Sequence, residues 1–448
     1  MMAGGSRGGG AVVTFLVRDF HVAFAESEAV RAKHSFRSGN LSSVEHVRLR
    51  AYDGPIYMNN QQYRPPHSVP TAMLIIGAAF LGSTLATPFY LPYQQTFGFS
   101  EFTLTQIYAI YVLGNMVALL FLGRLSDSLG RKPILMAALL LACLSTLLFI
   151  FATGTIWLFA ARLVSGLAVG LASSTGTAWL VDIDAEHHTE HATVRAAGAN
   201  FVGSAIGPLA GGVLYQYAFA PMQLAWICYL AALVGVLILL YRVPADRSMA
   251  SGRPDLRPRI AVPRRLRRYF ITPALTAFCV FAFIGYYLAL LPSIVQAILP
   301  SGGGLVTGVI MFVLFMGGLG ALLAERHFPC DRSMCIGLIL LVPALCTFYL
   351  AQRESSLWLL ALGTLLTAAA SGMGFGGSLR VVGQISPSSH RASISSAYYL
   401  ACFVGASIPV LGIGLAAVLW GLAAASLIFT VLTSLLVAAA LVVRRSRP

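Results

Sequence analysis

Charge is what this sequence has least of. Of 448 residues, 30 are Lys or Arg and 16 are Asp or Glu, so 10% are charged against 57% hydrophobic. Soluble domains carry roughly a quarter charged residues, and a chain with less than half that share cannot cover a water-facing surface of this size. A soluble enzyme is excluded and a membrane protein is implied. Acidic residues are absent from the middle of every long apolar stretch: Glu325 ends one, and Asp182 and Asp184 just leave another. No G-x-x-x-x-G-K-[ST] phosphate loop occurs, so an ATP-driven cycle has no motif to run on. Cysteine is sparse too. Cys143, Cys228, Cys279, Cys346 and Cys402 stand in apolar segments, where cysteine acts as a small hydrophobe. Cys330 and Cys335, near His327, are too few and too loosely spaced for a metal centre, and no disulfide is expected.

What the chain does have is apolar length. Twelve blocks of about 20 residues fall near 70–92, 103–123, 132–153, 155–181, 196–217, 222–243, 271–297, 303–325, 333–351, 355–378, 392–416 and 419–443. At 1.5 Å rise per residue such a block crosses a hydrocarbon core of roughly 30 Å. Backbone amides in lipid must be satisfied within the segment, so each block is expected to be a helix despite its glycines. The fold class is an all-α integral membrane protein.

The 22 Lys and Arg beyond residue 70 lie almost wholly on alternate loops. Arg124, Arg131 and Lys132, Arg195, the run from Arg242 to Arg268, Arg326 and Arg332, Arg380 and Arg391, and the tail Arg444, Arg445 and Arg447 share one side; Arg353 alone is opposite. By the positive-inside rule both ends of the helical region are cytoplasmic, in a multi-pass protein of the plasma (inner) membrane. The net charge of +14 reflects this bias and calls for no nucleic acid.

The basic stretch "ADRSMASGRPDLRPRIAVPRRLRR" divides the helices into two groups of six. The expected domains are a polar extension at 1–69, a first half at 70–243, a linker at 244–270, a second half at 271–443 and a basic tail at 444–448. An internal echo supports the division: "FVGSAIGPLAGG" (201–212) returns as "FVGASIPVLGIG" (403–414). In the extension, "AVVTFLVRDFHVAFA" is broken by Arg18 and Asp19 and is neither a signal core nor a span. Residues 1–57 are expected to be a disordered tail or to precede a native start at Met58.

Three motifs then occur in order. "GRLSDSLGRKP" (123–133), "LFAARLVSGLAVG" (158–170) and "GSAIGPLAGG" (203–212) resemble, respectively, the loop signature, the helix 4 motif and the antiporter-associated helix 5 motif of the major facilitator superfamily. The resemblance covers about residues 70 to 443. It implies a secondary transporter whose halves rock about a central site, and it makes Gly123, Asp127, Gly130, Arg131 and Lys132 a latch between them. In physical terms, Asp127 suits a positive helix end, and Arg131 and Lys132 suit the headgroup level or a pair with that acid. Gly123 and Gly130 suit a tight turn.

Arg162 stands inside the fourth block, where a guanidinium must face the interior or snorkel to an interface. Anion attraction, bonds to helix 1 carbonyls and tuning of a carboxylate are its open roles. Gly166 and Gly170 follow at small-residue spacing, and Gly203, Gly207 and Gly211 repeat in the fifth block beside Pro208 and Gly212. Candidate cavity residues are Tyr108, Tyr111, Asn115, Trp179, Asn200, Tyr286, Tyr287, Tyr398 and Tyr399, with Thr175 and Ser204 nearby and the "PFYLPYQQTFGFS" end of helix 1 as an outer vestibule. The second half carries no good copy of the loop signature: aligning Gly320 with Gly123 puts Ala324 opposite Asp127 and Glu325 one place late.

One pattern points elsewhere. "HHTEH" (187–191) has H-x-x-E-H spacing, but it lies on a loop and lacks a suitable third acid downstream, so no metal site and no catalytic residues are expected. The expected function is alternating-access export of an amphipathic small molecule by proton antiport. Uptake of a small metabolite, anionic in one version, by proton symport is the alternative, with a non-transporting sensor behind it. No cofactor is expected, a proton gradient being the energy source, with Asp127 or the Asp182/Asp184 pair as candidate carriers. The partners are substrate and lipid bilayer, and a monomer is expected.

Overall fold

The computed structural model describes residues 68–123, 125–183, 189–244, 260–300, 303–387 and 390–445. Among these the chain is helical, with no strand, and twelve helices are long and apolar enough to cross a membrane. They are α1 (Ser68–Phe97), α2 (Glu101–Leu122), α3 (Arg131–Ile150), α4 (Thr155–Ile183), α5 (His191–Tyr217), α6 (Pro221–Arg242), α7 (Arg264–Ile298), α8 (Gly303–His327), α9 (Cys330–Arg353), α10 (Leu357–Ile385), α11 (Arg391–Trp420) and α12 (Leu422–Arg444). The twelve expected spans are therefore present. Their ends differ by a few residues, because polar residues near a helix end lower local hydropathy without breaking the helix.

Two ends show what sets them. In α1 the helix tightens to a 3-10 turn at Thr87–Phe89, where Pro88 removes a donor, and resumes at Tyr90–Phe97. Gly98 then stops it in the left-handed region at φ 67°, which glycine adopts at no steric cost. Ser100 caps α2, its side chain accepting from the Thr103 amide at 3.3 Å. At the start of α7 the helix reaches back to Arg264, so the last residues of the expected linker are helical. Pro208, Pro273, Pro292, Pro343 and Pro409 all lie inside helices that continue through them.

The packing repeats with a period of six helices. Within the first six, α1 packs on α4 and α5, α2 and α3 on α4, and α3 on α6; within the second, α7 packs on α10 and α11, α8 and α9 on α10, and α9 on α12. Two pairs make most of the contact between the groups, α5 with α8 and α11 with α2, and α7 also touches α1 and α2. The pattern also separates centre from edge. In α7, 67% of the most apolar window is buried, whereas in α6 and α12 it is 28%. Exposed side chains such as Ile227 and Tyr241 on α6, and Leu432 and Leu435 on α12, give these edge helices the apolar surface that lipid requires.

Candidate functional site

The end of the bundle carrying the α2–α3 loop holds most of the charge. Gly130, at φ 90°, turns the chain from the short helix Leu125–Leu129 into α3. Arg131, the first residue of α3, gathers that turn: its guanidinium donates to Asp127 at 2.5 Å, to the Ser126 hydroxyl at 2.6 Å and to Asp182, at the end of α4, at 2.8 Å. Asp127 thus pairs with Arg131 of its own loop, and its side chain is 61% exposed. Lys132 does not join that acid. Its ammonium donates to the carbonyls of Tyr241, at 2.9 Å, and Val243, tying the end of α6 to the start of α3. A cation at a helix C-terminus meets orphan carbonyls and the negative end of the dipole.

The second group of helices has a counterpart that residue spacing missed. Glu325, one place late for the alignment, is 3% exposed and receives Arg380 of α10 at 2.9 Å. Arg380 also donates to the carbonyls of Glu325, at 3.2 Å, and Phe328, at 3.1 Å. The first group pairs the arginine that begins α3 with an α4 acid; the second pairs an α10 arginine with an acid at the end of α8. No alignment of like residues could have found it, because the signs are exchanged.

Arg162 is 2% exposed, which rules out snorkelling. Its Nη1 donates to the Ser83 carbonyl of α1 at 2.6 Å and its Nη2 to the Tyr90 hydroxyl, while the rings of Tyr90 and Tyr111 lie 5.1 and 5.2 Å from the guanidinium carbon. Among the described residues no carboxylate pairs with it, and Nε is buried with no hydrogen-bond partner. Of the open roles, the carbonyl bond to helix 1 is the one the geometry contains. Below Arg162 on α4, Gly166 lies against the Tyr111 carbonyl and Gly170 would put a Cβ 2.8 Å from the Asn115 carbonyl, so α4 and α2 meet backbone to backbone. One turn further on, α2 takes a π-helical turn at Ala118–Leu122 before reaching Gly123.

The glycines of α5 divide between two neighbours. Gly203, Gly207 and Gly211 lie on the carbonyls of Gly77, Leu81 and Leu85 of α1, whereas Gly212 faces the Gly304 carbonyl of α8 and Gly308 of α8 faces the Pro208 carbonyl. The motif therefore packs α5 within its own six helices on one face and across the seam on the other.

The candidate cavity residues scatter. Tyr108 is buried, with its hydroxyl beside Gly285 of α7, and Tyr111 is half-buried next to it, ring centroids 6.4 Å apart. Asn115 is half-buried against Gly170, with Oδ1 unpartnered, as is the Thr175 hydroxyl. Trp179 packs between core clusters, and Asn200 accepts from Ser204 at 3.2 Å. Tyr286 and Tyr287 stand in an aromatic core with Phe283 and Phe348, Tyr286 bonded to Ser426 of α12 and Tyr287 facing Thr364 and Thr367 of α10. Their hydroxyls are satisfied inside the second group of helices. Tyr398 likewise bonds Ser378 at 2.7 Å and packs on Tyr399 and Phe375.

Of the vestibule at the end of α1, Gln95 and the prolines 88 and 92 line a cavity of about 300 Å³ with Tyr215, Gln296 and Thr307. Tyr90 turns inward to Arg162, and Tyr93 accepts from the Trp226 indole at 3.0 Å. Beside it, Glu101 accepts from Gln94 of α1 at 3.3 Å and from Ser293 of α7 at 3.2 Å. His187 and Asp184 lie outside the described residues; His191 heads α5, and among the described residues no group of three His, Cys, Asp or Glu could hold a metal.

Comparison with known proteins places this arrangement. Multidrug resistance protein 2 of Bacillus subtilis (strain 168) is 28% identical over 166 residues, 37% of this chain and 42% of that one. Chloramphenicol resistance protein CraA of Acinetobacter baumannii is 26% identical over 149 residues, 33% and 36% of the two chains. Quinolone resistance protein NorA of Staphylococcus aureus (strain MRSA252) is 25% identical over 197 residues, 44% and 50%. These matches span half or less of the relatives' own lengths. Among solved structures, a bacterial homolog to the human lysosomal transporter Spinster, in an inward-facing and occupied conformation, superposes with a TM-score of 0.68 at 14% identity, over 85% of this chain and 96% of that one. It shares the fold. The family profile of the Major Facilitator Superfamily matches residues 72–328, more than half of the sequence, and the chain belongs to that superfamily of transporters.

Proposed function

We propose that the protein is a secondary transporter of the plasma (inner) membrane, working as a monomer by alternating access, and that it exports an amphipathic small molecule in exchange for protons. Its halves, 70–243 and 271–443, rock about a site between them, and the basic end faces the cytoplasm. One observation carries this reading. The ionic ties at the basic end, Arg131–Asp182 and Arg380–Glu325, each stay within one group of six helices, whereas at the far end Glu101–Ser293 joins the two groups. With small-residue seams at α5–α8 and α2–α11, that is a rocking pair held together at the far end and able to part at the basic end. The names of the similar resistance proteins support export as the direction.

The test uses inverted membrane vesicles with an acid interior, challenged with dyes, drugs and metabolites while the gradient is followed by a fluorescent pH probe. At least one compound is expected to discharge the gradient in a protein-dependent way, and Arg162→Ala to abolish the response. Asp127→Asn is expected to slow it roughly tenfold, the scale of about 1.4 kcal/mol on a conformational equilibrium. Discharge by no compound, together with accumulation of a labelled metabolite in right-side-out vesicles, would replace export by symport. Silence in both assays would leave the sensor reading.

A further inference from the structure

A transporter that handles organic cations is expected to keep an acid near its site; this chain keeps the opposite charge. Arg162 is buried, every partner it has is neutral, and no carboxylate among the described residues pairs with it. A buried guanidinium without a counter-ion is costly, and in a membrane interior such a charge marks a functional site. Its Nε–H is buried and unpartnered, an unmet donor on a side chain 2% exposed. The Tyr90 hydroxyl accepts from Nη2 and so keeps its own proton free to donate elsewhere.

Aromatic rings surround the guanidinium. Tyr111 covers the guanidinium at 5.2 Å and is half-buried; Tyr108 follows at 6.4 Å between ring centroids, with its hydroxyl beside Gly285 of α7. Arg162, Tyr111 and Tyr108 form a row from the interior of the first group of helices to its contact with the second. The corresponding position in α10, 202 residues on, is Thr364, so the charge exists on one side only. An asymmetric site of this kind supplies one cation and a run of aromatic faces.

We infer that Arg162 and the Tyr90 hydroxyl form the recognition point for a carboxylate on the substrate, with Tyr111 and Tyr108 stacking its flat apolar part: the substrate class is an aromatic organic monoanion. This rests on the transporter reading above and narrows it. The fork of a guanidinium matches a carboxylate, and binding exchanges neutral partners for an ionic one. The same charge disfavours a cation at the same place.

Three shape-matched probes test it: 1-naphthoate, 1-naphthamide and 1-naphthylmethylammonium, each measured by equilibrium dialysis on the purified full-length protein in nanodiscs. The wild type is expected to bind naphthoate roughly tenfold or more tighter than the ammonium probe, with the amide between. Arg162→Gln should erase the difference between naphthoate and amide, and Arg162→Lys should keep the order while weakening naphthoate. If Arg162→Gln does not fold, Tyr90→Phe carries the test, weakening naphthoate several-fold and leaving the amide unchanged. Equal or tighter binding of the ammonium probe, no binding of any probe to the wild type, or unchanged preference in Arg162→Gln overturns the inference. Arg162-dependent binding of naphthoate without movement in vesicles would sink the transport reading alone. Transport of cations without preference for the anion would sink this inference alone.

Discussion

The two groups of six helices are built on one packing plan and differ in their chemistry. Gly203 of α5 rests on a carbonyl of α1, and Gly405 of α11, 202 residues later, rests on a carbonyl of α7. Gly212 faces α8 across the seam, and Gly414, again 202 later, faces α2 across the other seam. Residues that let backbones touch recur because the geometry that needs them recurs. Residues that carry charge do not. Arg162 has Thr364 at its counterpart, which faces Tyr287 in a neutral aromatic core, and the basic-end ion pair has its acid on α4 in one group and its arginine on α10 in the other. The lesson is that the packing is duplicated while the buried charge belongs to one copy.

Breaking the shared part should give the largest effects, and equal ones. A Cβ at Gly203 would collide with the Gly77 carbonyl, and one at Gly405 with the Phe278 carbonyl; both walls are backbone and cannot rotate away. Gly203→Val and Gly405→Val are each expected to cost roughly 3 kcal/mol or more, from overpacking at a helix contact. Size-exclusion profiles and thermal melts in detergent should show both proteins largely misfolded. A melt that falls in one variant and not in the other would mean that the two contacts are not equivalent.

The ion pairs sharpen the unshared part. Glu325 is 3% exposed, so Arg380→Gln leaves a buried carboxylate without its cation, a change expected to cost about 3 kcal/mol. Asp127 has a side chain 61% exposed, so Asp127→Asn should cost no more than about 1 kcal/mol of stability, whatever it does to the cycle. Melting temperatures of the two variants side by side check the order. Charge reversal at both partners, Glu325→Arg with Arg380→Glu, should recover part of the first loss.

Much of this arrangement was legible in the sequence, for reasons that can be stated. Apolar blocks of bilayer length leave the backbone no other structure, so the twelve spans were readable. The echo between 201–212 and 403–414 was readable because close backbone contact admits little beyond glycine. The partners of Arg162 were not: Ser83 offers a carbonyl, which every residue has, and Tyr90 lies 72 residues away in another helix. The Glu325–Arg380 pair was hidden by exchanged signs, and Lys132 by its use of α6 carbonyls instead of an acid. Tyr286 and Tyr287 look like cavity residues in sequence because a tyrosine facing a cavity and one bonded to a neighbouring helix have the same composition. Only the neighbours distinguish them.

The two seams are packed about equally tightly. Gly212 lies against the Gly304 backbone, with its virtual Cβ 2.5 Å from the carbonyl oxygen, whereas Gly414 lies against the side chain of Thr105. A methyl group added at Gly414 would lie 2.9 Å from the Thr105 Cβ, which no side-chain rotation moves, so α2 and α11 must part; one added at Gly212 must push α5 and α8 apart. Gly212→Ala and Gly414→Ala are therefore each expected to destabilise by roughly 1–2 kcal/mol. Because both glycines sit where the groups of helices meet, the added methyl should also appear in rocking. Double electron–electron resonance between spin labels at Ser128 and Ser393 should show the distance distribution shifting by a similar amount in Gly212→Ala and Gly414→Ala. Equal shifts would mean that the two seams bear the motion alike, and that the plan shared by the two groups of helices extends from their packing to their movement.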